Sequence, residues 1–362
     1  MWVTGIFMMK KTLFCASDAG GANNLIPIIK WFQDNGIEYY VVGSKTTRLL
    51  FENSSISLDS RGMISVEEAR EYLLEKKVSS LICGTTCYEV SERFLIKAAR
   101  YLGIKSLVVL DEWFNYNLRF TSNGQDLDCL PDVICCQDGL SKELAIKEGI
   151  PEKILEITGS VYFSDMFNRN QDHKKKDNVV PEFLSNVDLP VITFLSETHS
   201  TDYGHDDKGG PLGSYIGYTE KTVREDIFNI LKNLNFKCIV IEKLHPNDLN
   251  VYDELGDEHI KWKTVKDVDS SELFLNSDMV VGMRSVALLE SVLFGCNTVS
   301  YQPNLKGEQV CTAVNLGHVQ CCNEKTDLAN WFRSSINGKK NISKREVLFI
   351  KENVPQRIYE LI

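Results

Sequence analysis

The sequence predicts an α/β protein built from two doubly wound parallel sheets. Three observations carry that prediction. Short apolar runs alternate with amphipathic helical segments over roughly the first 165 residues. The same alternation restarts after a polar, basic interval at 168–188. Nearly every strand-like run ends in a small or polar turn.

In the first half, KTLFCAS is a β-rich apolar run, followed by a helix with Leu25, Ile28, Ile29 and Phe32 on one face. Pro27 fits best in a first turn, so this helix is expected to start near Ala22 to Asn24. EYYVVGS is the next strand, and Ser65 with Glu68 reads as a capping box for a further helix. SSLICGTT (strand), SERFLIKAARYLG (helix, with Ser91 as its cap), KSLVVLDEW and DVICCQ (strands), SKELAIKEG (helix) and ILEITGS (strand) complete a six-stranded half.

The second half repeats the scheme. LPVITFLSE, FKCIVIEKLHP, HIKWKTV, MVVGM and NTVSYQ read as strands. The helix between the first two presents Val223, Ile227, Ile230, Leu231 and Leu234 on one face. SVALLESVLFG is the helix before the last strand. The expected division is 1–167 and 189–342 as two Rossmann-like domains, 168–188 as linker, and 343–362 as a C-terminal helix, interrupted at Pro355, that returns to the first domain.

Composition excludes several classes. The chain has 362 residues, 43% hydrophobic and 25% charged, which is globular usage. A net charge of −10 without a long basic block argues against nucleic acid as partner. The basic run His173–Lys176 reads as solvated linker. Eleven cysteines without any C-x-x-C pair read as free thiols in a reducing compartment. No apolar run is long enough for a membrane span, and MWVTGIFMM lacks a signal peptide's charged start and cleavage site. The expected location is the cytoplasm. His199, His205, Asp206 and Asp207 lie in a glycine-rich stretch, 198–217, that reads as a mobile loop able to order over a substrate; they are metal-ligating residue types, but their spacing is not diagnostic, and no metal or cofactor is expected.

The chemistry-bearing residues follow strand ends, where open α/β sheets bind ligands. Asp18-Ala-Gly20-Gly21-Ala-Asn23 is a bare turn into a helix, suited to an anion or sugar oxygen at backbone N–H groups. Glu89 lies just past the GTT turn. Asp111 and Glu112 end a buried strand and are candidate general bases, with Trp113, Tyr116 and Arg119 offering faces and charge for an acceptor. His245-Pro246 follows a strand of the second half, where proline aims the imidazole. Arg284 and Ser285 open a helix, a natural phosphate position, and Glu290 lies five residues on, suited to two ribose hydroxyls.

Together these features resemble the two-domain GT-B glycosyltransferase superfamily, which includes the UDP-N-acetylglucosamine 2-epimerases. KLHP, followed about 40 residues later by GMRSVALLE, resembles the His-Pro and Ser motifs of bacterial sialyltransferases, Kdo transferases and CDP-glycerol glycerophosphotransferases. GIPEKILEITGSVYFSD resembles the end of the first domain in the epimerase branch. The resemblance implies a cleft between two Rossmann-like domains. In it Gly20, Gly21, Asn23, His245, Pro246, Arg284, Ser285 and Glu290 would hold a nucleotide-sugar donor. Asp18, Glu89, Trp113, Tyr116 and Arg119 would meet a glycan or small-molecule acceptor. It further implies metal-independent glycosyl transfer in surface glycan or polysaccharide biosynthesis, with Asp111, Glu112 and His245 catalytic and Asp18 as reserve base. A nucleotide-sugar 2-epimerase or hydrolase on the same fold, a CDP-polyol phosphotransferase and a non-catalytic sugar-nucleotide-binding subunit are the alternatives.

Overall fold

The computed structural model describes residues 11–87, 90–173, 184, 188–250, 252–338 and 349–362. These fall into two compact units: those up to 168 together with 349–362, and those from 169 to 338.

The first unit contains β1 (Thr12–Ala16), α1 (Ala19–Asp34), β2 (Tyr39–Gly43), α2 (Lys45–Asn53), α3 (Val66–Glu75), β3 (Ser80–Cys83), α4 (Ser91–Leu102), β4 (Lys105–Val109), α5 (Tyr116–Arg119), β5 (Val133–Cys136), α6 (Gly139–Lys147), β6 (Leu155–Ile157) and α7 (Val161–His173). Its strands are all parallel, in the order β2-β1-β3-β4-β5-β6. Side chains alternate across each strand. Leu13 and Cys15 therefore join the core under α3, α4 and α6, while Phe14 and Ala16 join the core under α1. Burial on both faces explains the near-continuous apolar runs. The C-terminal helix Val354–Tyr359 closes the second of these cores: Val354 and Ile358 are buried, and the Tyr359 ring lies tilted 5.2 Å from Trp31 and edge-on 5.5 Å from Phe32.

The second unit contains β7 (Val191–Leu195), α8 (His199–Tyr203), α9 (Glu220–Asn233), β8 (Cys238–Lys243), β9 (Ile260–Val265), α10 (Ser270–Leu275), β10 (Met279–Gly282), α11 (Ala287–Leu293), β11 (Asn297–Tyr301), α12 (Thr312–Asn315), β12 (Gln320–Cys322) and α13 (Lys325–Ile336). This sheet is also parallel, in the order β12-β11-β10-β7-β8-β9. In each sheet the chain reverses its direction of growth once, at β1/β3 and at β7/β10. Such switch points leave a crevice at the carboxyl ends of the strands.

Several local expectations are corrected. Helix α1 begins at Ala19, not near Ala22 to Asn24, because Asp18 caps it through Gly21 N–H at 2.7 Å. Pro27 is consequently interior to the helix, where it removes one backbone hydrogen bond. Gly20 and Gly21 lie in the first turn of α1, and neither has positive φ. They permit close approach instead. A Cβ on Gly20 would run into Asp111 Oδ2, and one on Gly84 would sit 2.7 Å from Gly21 Cα.

Glu68 bonds Ile64 N–H rather than completing a box at Ser65, and Ser91 Oγ accepts from Met63 N–H rather than capping α4. Residues 168–173, placed in a linker, continue α7. The C-terminal helix spans six residues with Pro355 in its first turn. The 198–217 stretch is α8 plus a folded loop, in which Gly210 N–H bonds Gly213 O at 2.8 Å and a Cβ on Gly210 would meet the Asp202 carbonyl. The start of the chain, Glu89, 174–183, 185–187 and 343–348 lie outside the described residues. The eleven cysteines are thiols, nine of them buried. Among the described residues no helix is long and apolar enough to cross a membrane.

Candidate functional site

In the first unit, the ends of β1, β3 and β4 bring together Asp18, Thr85, Asp111 and Glu112 at the switch point. Arg119 on α5 ties the group. Its Nη1 donates to Asp111 Oδ1 at 2.7 Å and to Thr85 Oγ1 at 2.5 Å, and Thr85 in turn donates to Asp111 Oδ1 at 3.2 Å. Both members of the Asp111–Arg119 pair are nearly excluded from solvent, at 10% and 5% side-chain exposure. Arg93 braces the arrangement from α4, donating to the carbonyls of Thr86, Cys87 and Leu118.

Three carboxylates against one guanidinium leave a surplus of negative charge. Desolvation, with Asp111 second, pushes the Glu112 carboxyl up to about 8. The same two causes raise Asp18. One shell deeper, Glu92 accepts from Ser17 N–H at 2.6 Å and Ser17 Oγ–H at 2.8 Å, and burial raises it to about 7. Asp111 is the carboxylate that pairs with Arg119. Glu112 exchanges its proton close to neutral pH, which suits a general acid or base.

In the second unit, the ends of β7, β8 and β10 surround a cavity of about 360 Å³ lined by Glu197, His199, Asp202, Tyr203, His245, Asn247 and Arg284, among others. His245 Nδ1 accepts from Asn247 N–H at 3.2 Å, so the neutral ring carries its proton on Nε2. The Arg284 guanidinium lies 4.8 Å from the centre of the Tyr203 ring. His199 is buried, with Nε2 3.1 Å from Glu197 Oε2, and its Nδ1 is buried without a hydrogen-bond partner.

Glu197 also accepts, through Oε1, from the backbone N–H groups of Arg284 at 2.7 Å and Ser285 at 3.0 Å. Burial alone would raise this carboxyl, but His199 and Arg284 together outweigh it and leave it below the usual carboxylate range.

The expected site residues are partly gathered and partly reassigned. His245 and Arg284 share one cavity. The phosphate position at the Arg284 and Ser285 amides is corrected: a carboxylate of the same chain occupies it, and Ser285 Oγ accepts from Ala287 N–H at 3.2 Å. Pro246 is exposed beside His245, and Glu290 is buried in α11. Gly20, Gly21 and half-buried Asn23 belong to the first unit with Asp111.

Trp113 and Tyr116 offer no face to an acceptor, which corrects their assignment. The Trp113 indole N–H bonds Asp138 at 3.1 Å against Phe349, and Tyr116 is fully buried on Ser141. Arg119 is spent on Asp111 and Thr85. Phe114 is the aromatic that stays exposed, at 44%. Helical spacing could not have singled it out, because the helix begins only at Tyr116 and Asn115 before it is left-handed. Glu197 and Arg93 carried no local signal, since their partners lie far away in sequence or are backbone atoms.

No protein-family model matches the chain, and no curated protein does. Solved structures do. The UDP-GlcNAc 2-epimerase of Methanocaldococcus jannaschii, in complex with UDP-GlcNAc and UDP, is 16% identical, with a TM-score of 0.65 over 98% of this chain and 99% of that one. The enzyme of the same name from Neisseria meningitidis, bound to UDP-GlcNAc, is 15% identical, with a TM-score of 0.69 over 97% and 99%. MurG of Acinetobacter baumannii is 14% identical, with a TM-score of 0.59 over 98% and 99%. At this identity the likeness shows the fold: two Rossmann-like α/β units of the GT-B class.

Proposed function

From a chain with the GT-B fold, we propose a metal-independent transfer of a sugar from a nucleotide-activated donor to a hydroxyl acceptor, in the cytoplasm, for surface glycan or polysaccharide biosynthesis. The carrying observation is that His245 and Arg284 line one cavity at the switch point of the second sheet. There they meet the donor's phosphate through Nε2–H and the guanidinium. The first unit supplies the base. Glu112, or Asp111 in its place, takes the acceptor proton as the acceptor oxygen bonds the anomeric carbon. The bond from that carbon to the phosphate oxygen breaks, and the charge on the departing nucleotide is offset by His245 and Arg284. Phe114, two residues after Glu112 in the chain, offers an exposed apolar face.

The test is acceptor-dependent release of nucleotide from a donor panel. His245→Ala is expected to lower turnover by about 10²–10⁴-fold, with an unchanged melting profile. Near-normal turnover by the folded variant removes His245 from the mechanism.

A second reading, epimerisation or hydrolysis of the nucleotide sugar, is favoured by one observation: a carboxyl near pKa 8 beside two further carboxylates takes up and returns a proton at neutral pH. The names of the two similar epimerases agree with it. Incubation with donor alone separates the readings, since isomerised or free sugar appears only under the second.

A further inference from the structure

The amide pair of Arg284 and Ser285 points at an anion, and that anion is part of the chain. Glu197 Oε1 takes both N–H groups, at 2.7 and 3.0 Å, while Oε2 lies 3.1 Å from His199 Nε2. The carboxylate is 15% exposed and the imidazole 3%, so the trio is enclosed at the cavity wall.

Around the same cavity stand Asp202, which accepts from Thr198 Oγ at 2.7 Å, the Arg284 guanidinium, and His245. Two carboxylates thus face one permanent cation and two imidazoles. Backbone N–H groups and one guanidinium would suit two phosphoryl groups. With the amides occupied, Arg284 is, among the described residues, the one permanent cation of the lining, and a second negative group would approach the largely buried carboxylate of Glu197, where like charges repel more strongly than in open water.

We infer that Glu197 is a specificity-determining residue, a resident anion on the 284–285 amides that limits the cavity to ligands presenting one anionic phosphoryl group. This rests on the reading of the cavity as the donor site and names the donor class: nucleoside monophosphate-activated, with a single phosphodiester, rather than diphosphate-activated.

The experiment is calorimetric titration of the full chain and its Glu197→Gln and Glu197→Ala variants with phosphate, pyrophosphate, UMP and UDP. Glutamine keeps an oxygen for the two amides and removes the charge, so it tests the inference even if alanine unfolds the protein. In the unaltered protein the second phosphoryl group should add less than about threefold to affinity. In Glu197→Gln, pyrophosphate and UDP should bind about tenfold tighter than before, while phosphate and UMP change less than about threefold, as expected when one enclosed charge is removed.

A merely structural Glu197 would produce loss, not this selective gain. Equal or weaker diphosphate binding in Glu197→Gln overturns the inference, as does tight diphosphate preference in the unaltered protein. The inorganic anions separate the two levels. If pyrophosphate gains in the variant but neither nucleotide binds any form, the donor-site reading fails and the role of Glu197 stands.

Discussion

Arg119 Nη1 lies 2.7 Å from Asp111 Oδ1, and the pair is almost wholly buried at the carboxyl end of the first sheet. Each charge is tolerable there only because of the other. Arg119→Ala leaves Asp111 uncompensated among Asp18 and Glu112, and is expected to cost about 3–5 kcal/mol. Chemical denaturation measures it; a loss below about 1 kcal/mol would mean that the pair is solvated in solution.

Glu112 gives the first unit a pH dependence of defined sign. Its carboxyl titrates near 8 when folded, against about 4.3 in an unfolded chain. Between those values the folded state binds more protons, so stability falls as pH rises across the interval. Glu112→Gln should therefore melt higher than the unaltered protein at pH 8 and about equal to it at pH 4. If Glu112 is the base, kcat/KM of the unaltered protein rises through about pH 8 and the variant loses that limb. A flat profile removes it from the role.

The approach of α1 to the end of β3 depends on absent side chains. A methyl group on Gly84 would stand 2.7 Å from Gly21 Cα, backbone against backbone, whereas one on Gly139 meets nothing within 4 Å. Gly84→Ala should lose about 1–3 kcal/mol and disturb Asp18, which caps α1. Gly139→Ala should be neutral or gain about 0.4–1 kcal/mol. Thermal melts of the two variants side by side decide this, and equal behaviour would contradict the close contact.

Trp113 and Phe114 are neighbours with opposite duties. Trp113→Ala empties a packed site and is expected to cost about 3–5 kcal/mol. Phe114→Ala should leave the melting temperature within about 1 °C, as surface changes do, and raise KM for the acceptor. A Phe114 variant with unaltered KM would exclude it from acceptor contact.

Much of this was legible beforehand. The central strands stand out because parallel strands buried on both faces are largely apolar, and Asp111, Glu112, His245 and Arg284 stand where such strands end. What escaped has physical causes. β12 is three residues long, too short for periodicity. The Asp18 cap set the start of α1 against the preference of Pro27 for a first turn. Glu197 finds its amides 87 and 88 residues away. Trp113 and Tyr116 are buried through partners at 138, 141 and 349, which no local pattern around 113–120 announces.

The most direct test is nucleotide binding by the second unit's cavity. Calorimetry with CMP, CDP, UDP, GDP and dTDP on the full chain should find at least one ligand whose affinity falls about tenfold or more in both His245→Ala and Arg284→Ala. Absence of binding by all five, or binding that neither substitution weakens, would contradict the assignment of this cavity to a nucleotide-activated sugar.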